Sequence, residues 1–541
     1  MALNLRPALV PVFIAFALTS IGASSAAPSG YRPTYLANFP NFNPALSTDL
    51  PGDVDTALKK KLEDEKKFAQ VQRLFDLWSW QAFITLNWPV NNQGKFAPKV
   101  TDTSFGPPKW TTWYESPEIF RQDGGVPAPC AKPNGPQLLS LMRESLPVAR
   151  NLKAFATPPN FDKRKTRLLG NISAVGDISP ATKAEEPQAL EEITQAFTAP
   201  LIDQNGNYVF YEIQMDPNEV GYICTYKLYN IEGQIAFTGG DPKKDADLPE
   251  GTDAKDGSGA WELKLAWRIM TKTDDQKRFL TTDAIVPPTN GKCPDGSTPT
   301  DNQCPVTVGL VGMHIAHKSV SSPQWIWSTF EQVDNLSVDN VAHPALKPSF
   351  FDPNCPICVP NQQPTQNADG TWSTSPPTQA WRAIPIPADK VALNDQATAA
   401  LTKAGSVLRY YQLIDTQWPT DPTAKPADPA KGLPNAVENK PGGNPTPVFL
   451  TNITMETYFQ GGVQPACQQE ENQNDCPAVP WTSANQKAQR ANDTTPIFGT
   501  ESCMGCHSSA GLYINKQKQT SGQLAGDFSW LFTQKAHFAK P

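Results

Sequence analysis

Trp261-Glu262-Leu263-Lys264-Leu265-Ala266-Trp267-Arg268-Ile269-Met270 alternates large apolar residues with Glu, Lys, Ala and Arg. A period of two places one set of side chains on each face of an extended chain, so this stretch predicts a strand with one face in a core. Three neighbouring stretches, Arg278 to Val286, Val306 to His317 and Gln324 to Glu331, carry the same signal across short, turn-rich connections. Together they predict an antiparallel β-meander. Helices are expected over residues 54–87, 183–198 and 394–415. In the first, Leu58, Leu62, Phe68, Val71, Phe75 and Trp78 recur at near-helical spacing behind Asp53 or Asp55 as cap, until Pro89. The fold class is therefore α+β: a meander body with flanking helices, long Pro-rich loops and a C-terminal helical segment. With 54 prolines and 18% charged residues, long helices are disfavoured. The Pro-rich loops are Val359 to Gln379 and Trp418 to Pro447, the second crossing the surface to bring the C-terminus back to the body.

The C-terminal segment carries Cys503-Met504-Gly505-Cys506-His507. Cys-x-x-Cys-His attaches haem covalently, each cysteine forming a thioether and the histidine becoming the proximal iron ligand. A zinc half-site begins the same way but needs further Cys or His ligands near by, and only His537 follows. The cofactor expected is one haem c held by Cys503, Cys506 and His507. No methionine follows His507, which excludes a His/Met pair in that order. A sixth ligand must come from His537 or from upstream, where Met313-His314-Ile315-Ala316-His317 ends the strongest strand. If that strand is regular, His314 shares a face with Val308 and Leu310, and His317 with Met313, Val311 and Ile315. Only one histidine can then face the haem, as a distal ligand or as an acid/base group. His317 is placed slightly ahead of His314, and Met313 behind both. Glu331 and Asp334 read as solvated charges at a strand end in preference to proton shuttles, and His343 as a loop histidine. Trp78, Trp80, Trp88, Trp110 and Trp113 are expected to pack a core beside the first helix.

The N-terminus predicts export. Arg6, an apolar run from Ala8 to Ala23 and Ser24-Ser25-Ala26 read as a signal peptide cut after Ala26. No later stretch approaches a membrane span, so a periplasmic chain with no transmembrane segment after cleavage is expected. The formal charge of -7 gives no reason to expect nucleic acid as a partner. The cysteines outside the haem motif are even in number, which in an oxidising compartment reads as disulfides. Cys293 with Cys304, Cys355 with Cys358 and Cys467 with Cys476 are local pairs, and Cys130 with Cys224 a long-range closure. Cys355-Pro-Ile-Cys358 could also be redox-active. The domains expected are a signal peptide at 1–26, an α+β body at 27–447 and a haem-binding segment at 448–541 docked on the body. No nucleotide or phosphate loop and no serine-nucleophile elbow occurs.

Four blocks carry a resemblance: Trp80 to Pro89 (WQAFITLNWP), Met313 to Lys318, Trp325 to Glu331 (WIWSTFE), and Ser502 to His507 followed by Asp527-Phe528-Ser529-Trp530-Leu531. Their order resembles that of a family of large bacterial proteins described as cytochrome c family. The resemblance implies one integrated haem protein in which residues 313–331 belong to the same unit as the haem motif. The functions this leaves are electron transfer, a haem-dependent oxidoreductase acting on peroxide, oxygen or a small organic molecule, and a non-catalytic haem sensor. The partner is correspondingly a redox protein or a small-molecule substrate.

Overall fold

The computed structural model describes residues 33–42, 46–131, 162, 164–170, 199–241, 243–252, 257–336, 348–355, 358–368, 371–382, 385–421, 444–445, 450–459, 503–507, 510–516, 518–519 and 525–540. The chain divides into Met1–Tyr31, outside the described residues together with the expected signal peptide, and Arg32–Pro541.

The main sheet has eight strands: β1 (Tyr114–Glu115), β2 (Thr166–Leu168), β3 (Val209–Met215), β4 (Trp261–Ile269), β5 (Thr281–Val286), β6 (Cys304–Ser319), β7 (Ser322–Gln332) and β8 (Tyr411–Gln417). The expectation of an antiparallel meander is corrected here. The strand order is β1-β3-β4-β6-β5-β2, with β7 and β8 branching from β6, and β2 lies parallel to β5. The sheet is mixed, and it branches because β6 is 16 residues long. One edge of β6 pairs with β4, while the other pairs with β5 near Cys304–Gly309 and with β7 from Gly312 onward.

On one face, Trp261, Leu263, Leu265 and Trp267 meet Met313, Ile315 and Phe330 in the largest core. Two helices, α1 (Thr56–Asp64) and α2 (Phe68–Leu86), contribute to that core. The sequence reads them as one, but Lys66 takes a positive φ between them. Asp55 caps α1 by accepting from the Leu58 amide. All five tryptophans of the N-terminal cluster are buried, and α2 puts Trp78 on Trp261, with ring centroids 5.4 Å apart. Each such side chain removed from water contributes on the order of 1.5–3 kcal/mol.

The opposite face carries Glu262, Lys264, Ala316, Trp325 and Trp327. Around Ala316 and the two tryptophans gather two helices, α4 (Pro217–Tyr226) and α5 (Ile231–Thr238), which follow the four-residue α3 (Ser116–Ile119) in the chain. The same cluster takes in Leu450, Cys503, Met504, Leu512, Tyr513, Phe528 and Phe532. Among the described residues no C-terminal helical segment is evident. The described C-terminal residues hold two five-residue helices, Cys503–His507 and Leu531–Lys535, and a two-stranded ladder of Tyr513–Asn515 with Lys518–Gln519. A helix expected over 394–415 is also corrected: α6 (Ala388–Ala404) ends at Gly405, left-handed at φ 73°, and β8 follows. The span 183–198 lies outside the described residues, as does most of the Trp418 to Pro447 loop.

Disulfides join Cys130 to Cys224, Cys293 to Cys304 and Cys355 to Cys358. Cys467 and Cys476 lie outside the described residues. No helix among the described residues is long and apolar enough to cross a membrane.

Candidate functional site

The two histidines of β6 go to opposite faces. His314 is opposite Lys264 on β4 and Thr329 on β7, whereas His317 is opposite Trp261 and Ile326. A bulge supplies the parity: Ala266 pairs with Gly312 and Trp267 with Leu310, so Val311 is the extra residue. Leu310 and Val308 therefore share the face of Met313 and Ile315, while Val311 packs with Ala266 and Tyr211. A regular strand would have put His314 with Leu310, so that expectation is corrected.

His317 is fully buried under α2, 3.8 Å from Trp261 and 5.4 Å from Trp78 between ring centroids. Its Nδ1 is 3.0 Å from the Ala260 carbonyl and its Nε2 2.6 Å from the Gly52 carbonyl. The structure therefore does not bring His317, expected slightly ahead of His314 as distal ligand, to His507. Both ring nitrogens are used by the main chain, and the sheet separates the ring from His507. Met313 is buried on the same face, near Asn87.

His507 lies on the His314 face. Its Nδ1 donates to the Phe528 carbonyl at 2.8 Å, and its ring stands 4.5 Å from Trp327. The carbonyl only accepts, so the proton is on Nδ1 and the lone pair on Nε2. Nε2 has no hydrogen-bond partner among the described residues. Burial first, and then the charge of Lys264, lower the imidazole to about 3 against the pull of the Phe528 carbonyl. It is neutral at physiological pH. Cys503 is buried, is in none of the disulfides and has Sγ 4.0 Å from the Leu450 carbonyl. The Met504 amide donates to Gln417 of β8 at 2.8 Å, anchoring the helix. A helical backbone brings positions 503, 506 and 507 to one side; the Cys506 side chain lies outside the described residues.

The turn that holds His507 is Asp527-Phe528-Ser529. Asp527 and Phe528 both have positive φ, 51° and 65°, a conformation costing roughly 1–2 kcal/mol per non-glycine residue. Three anchors offset that cost. Asp527 accepts from Lys318 Nζ at 2.8 Å and from the Leu248 amide at 2.7 Å, the Phe528 carbonyl takes the His507 proton, and Ser529 Oγ donates to Glu262 at 2.9 Å.

Beside this, His314 Nε2 lies 3.1 and 3.2 Å from the two Glu456 oxygens, and its Nδ1 is 2.9 Å from Thr329 Oγ1. Burial alone would raise the Glu456 carboxyl, but the charge of His314 and its hydrogen bond outweigh it and hold Glu456 below the ordinary value. Glu456 also accepts from the Asn452 amide, and Asn452 in turn donates to the Phe330 carbonyl. That segment can lie so close because residue 312 is glycine: a Cβ there would stand 2.1 Å from Thr454 Oγ1.

Lys264, Glu456 and the Phe528 carbonyl are site groups that the sequence does not single out. Lys264 had a signal, as the polar member opposite His314 in the alternating strand; Glu456 had none. Glu331 and Asp334, expected as solvated charges, are buried in ion pairs with Arg382 and Arg278. His537 lies against the start of α5, its carbonyl accepting from the Ile231 amide, and its buried Nε2 has no partner among the described residues. His343 is outside them. A cleft of about 570 Å³ bordered by Trp110, Trp267, Arg164, Thr281 and Ser406 shares no lining residue with the His314–His507 site. Comparison of the chain with protein-family models, with curated proteins and with solved structures finds no match.

Proposed function

We propose that this chain is a periplasmic mono-haem c-type protein that transfers electrons, with Cys503 and Cys506 attaching the haem and His507 as proximal iron ligand. The observation that carries the reading is the His507 tautomer. Its Nδ1–H is held by the Phe528 carbonyl, which leaves a neutral Nε2 to bind iron without first releasing a proton. The residues fit the group: a buried cysteine, Cys503, that belongs to none of the three described disulfides, an imidazole with an available lone pair, and an indole, Trp327, against that imidazole. Haem bound there supplies a one-electron couple whose potential the axial ligand, its hydrogen bonds and burial set. The Phe528 carbonyl makes the imidazole a stronger donor, and Trp327 and Phe528 exclude water from it. Three disulfides suit the oxidising compartment in which such attachment occurs.

One observation favours a second reading, a haem-dependent oxidoreductase with an open distal side. Both nitrogens of His314 are engaged, by Glu456 and by Thr329, so iron coordination by His314 requires one of those bonds to break. Left in place, the His314–Glu456 pair is an acid/base couple able to hold and pass a proton at Nε2. The natural partner is a redox protein in the first reading and a small oxidant or organic substrate in the second.

Cys503→Ser and Cys506→Ser test the attachment. Each should weaken or abolish haem that survives acid–acetone extraction, and full retention of haem by both variants overturns the assignment.

A further inference from the structure

Four acidic side chains converge behind the Asp527-Phe528-Ser529 turn, and they are not equally provided for. Asp216, the cap of α4, accepts from the amides of Asn218, Glu219 and Trp261 and from the Asn218 side chain. Asp527 has Lys318 and the Leu248 amide. Glu262 has the Ser529 hydroxyl. Glu219 is fully buried, and neither of its carboxyl oxygens has a hydrogen-bond partner among the described residues. Burial first, and then the charges of Glu262, Asp216 and Asp527, raise its proton affinity. The cations packed near by are Lys318, shared between Asp527 and Asp247, Lys264, which acts on Glu262, and Lys109, which interacts with Asp216. None of these lysines is among the groups that act on Glu219. An unpartnered buried carboxylate is too costly to persist ionised. Buried without a hydrogen-bond partner among the described residues, Glu219 is therefore balanced by a proton.

We propose that the Glu219–Glu262 pair is a proton-binding site linked to the redox state of the haem, taking up one proton when an electron arrives. The inference rests on the haem reading above. The link is structural: one turn holds Glu262 through Ser529 Oγ and His507 through the Phe528 carbonyl. With one of the two carboxyls protonated in the oxidised protein, an external one-electron donor adds a negative charge on the His507 side. A proton from water then converts the remaining carboxylate to the acid, and the net charge of the buried region is unchanged. In a low-dielectric interior that compensation is strongly favoured.

The experiment is spectroelectrochemical titration of the exported, haem-loaded chain from acid to alkaline pH, with Glu219→Gln and Glu262→Gln alongside. One proton per electron is a tenfold change in the redox equilibrium per pH unit, about 59 mV. The wild type is expected to approach that slope over part of the range, and both variants to flatten it. Infrared spectroscopy adds a readout independent of turnover: a protonated-carboxyl C=O band present in the wild type and lost in Glu219→Gln. A pH-independent wild-type potential, or a slope unchanged in both variants, overturns this proposal alone. A wild-type chain without covalent haem overturns the haem reading and this one with it.

Discussion

His314 and His317 lie three residues apart on one strand and have opposite environments. His317 packs against Trp78 and Trp261 with both nitrogens on carbonyls. Replacing it with alanine leaves those buried carbonyls and a cavity, so His317→Ala should cost about 2–4 kcal/mol in urea unfolding and leave the haem spectrum unaltered. His314→Ala, by contrast, should alter the visible spectrum or the binding of small haem ligands, and should also remove the stability that its pair with Glu456 contributes. Glu456 gives the pH dependence. Its folded-state proton affinity lies below the ordinary carboxyl value of 4.5. The His314–Glu456 contribution is thus fully present above that value and is lost as pH falls through the lower folded value. A thermal-unfolding series should show that acid-side slope reduced in Glu456→Gln. The sequence locates the histidine pair and predicts that its members take opposite faces of the strand, with one of them on the side of His507. It could not say which, because that depends on an extra residue at Val311 that alternation does not reveal.

At the level of elements, the strands most legible in the sequence are those with one apolar face, β4 above all. β3 is buried along its whole length, so it carries no alternation. The strand β8 was absorbed into a helix because Gly405 alone marks the break. The site depends on the Asn452–Glu456 segment lying flat on the sheet, and Gly312 permits it. Gly312→Ala should lift that segment, costing roughly 1–3 kcal/mol by overpacking and releasing His314 from Glu456. Chemical denaturation and the chemical shifts of the His314 ring would report the two effects separately. The Asp527-Phe528-Ser529 turn has no conformation readable from local sequence, since its two left-handed non-glycine residues are held by distant partners, Lys318, Leu248, His507 and Glu262 among them.

For the whole molecule, the Cys130–Cys224 bridge spans 94 residues of chain and ties the Ala128–Ala131 turn to α4. Its removal should lower stability by about 2–5 kcal/mol, read from unfolding of Cys130→Ser with Cys224→Ser. Arg32–Pro541 behaves as one compact unit in which strands from the middle of the chain and turns from its end share one buried face. Sequence patterns report local periodicity, so neither the branching at β6 nor that long-range packing could be read from them. The central claim is that haem is bonded to the Cys503–His507 helix. Its most direct test is the intact mass of the exported, purified chain, followed by mapping of its peptides. The account predicts the mass of one haem added, retained after denaturation and carried by the peptide containing Cys503, Cys506 and His507. An unmodified mass with both thiols available to alkylation would contradict it.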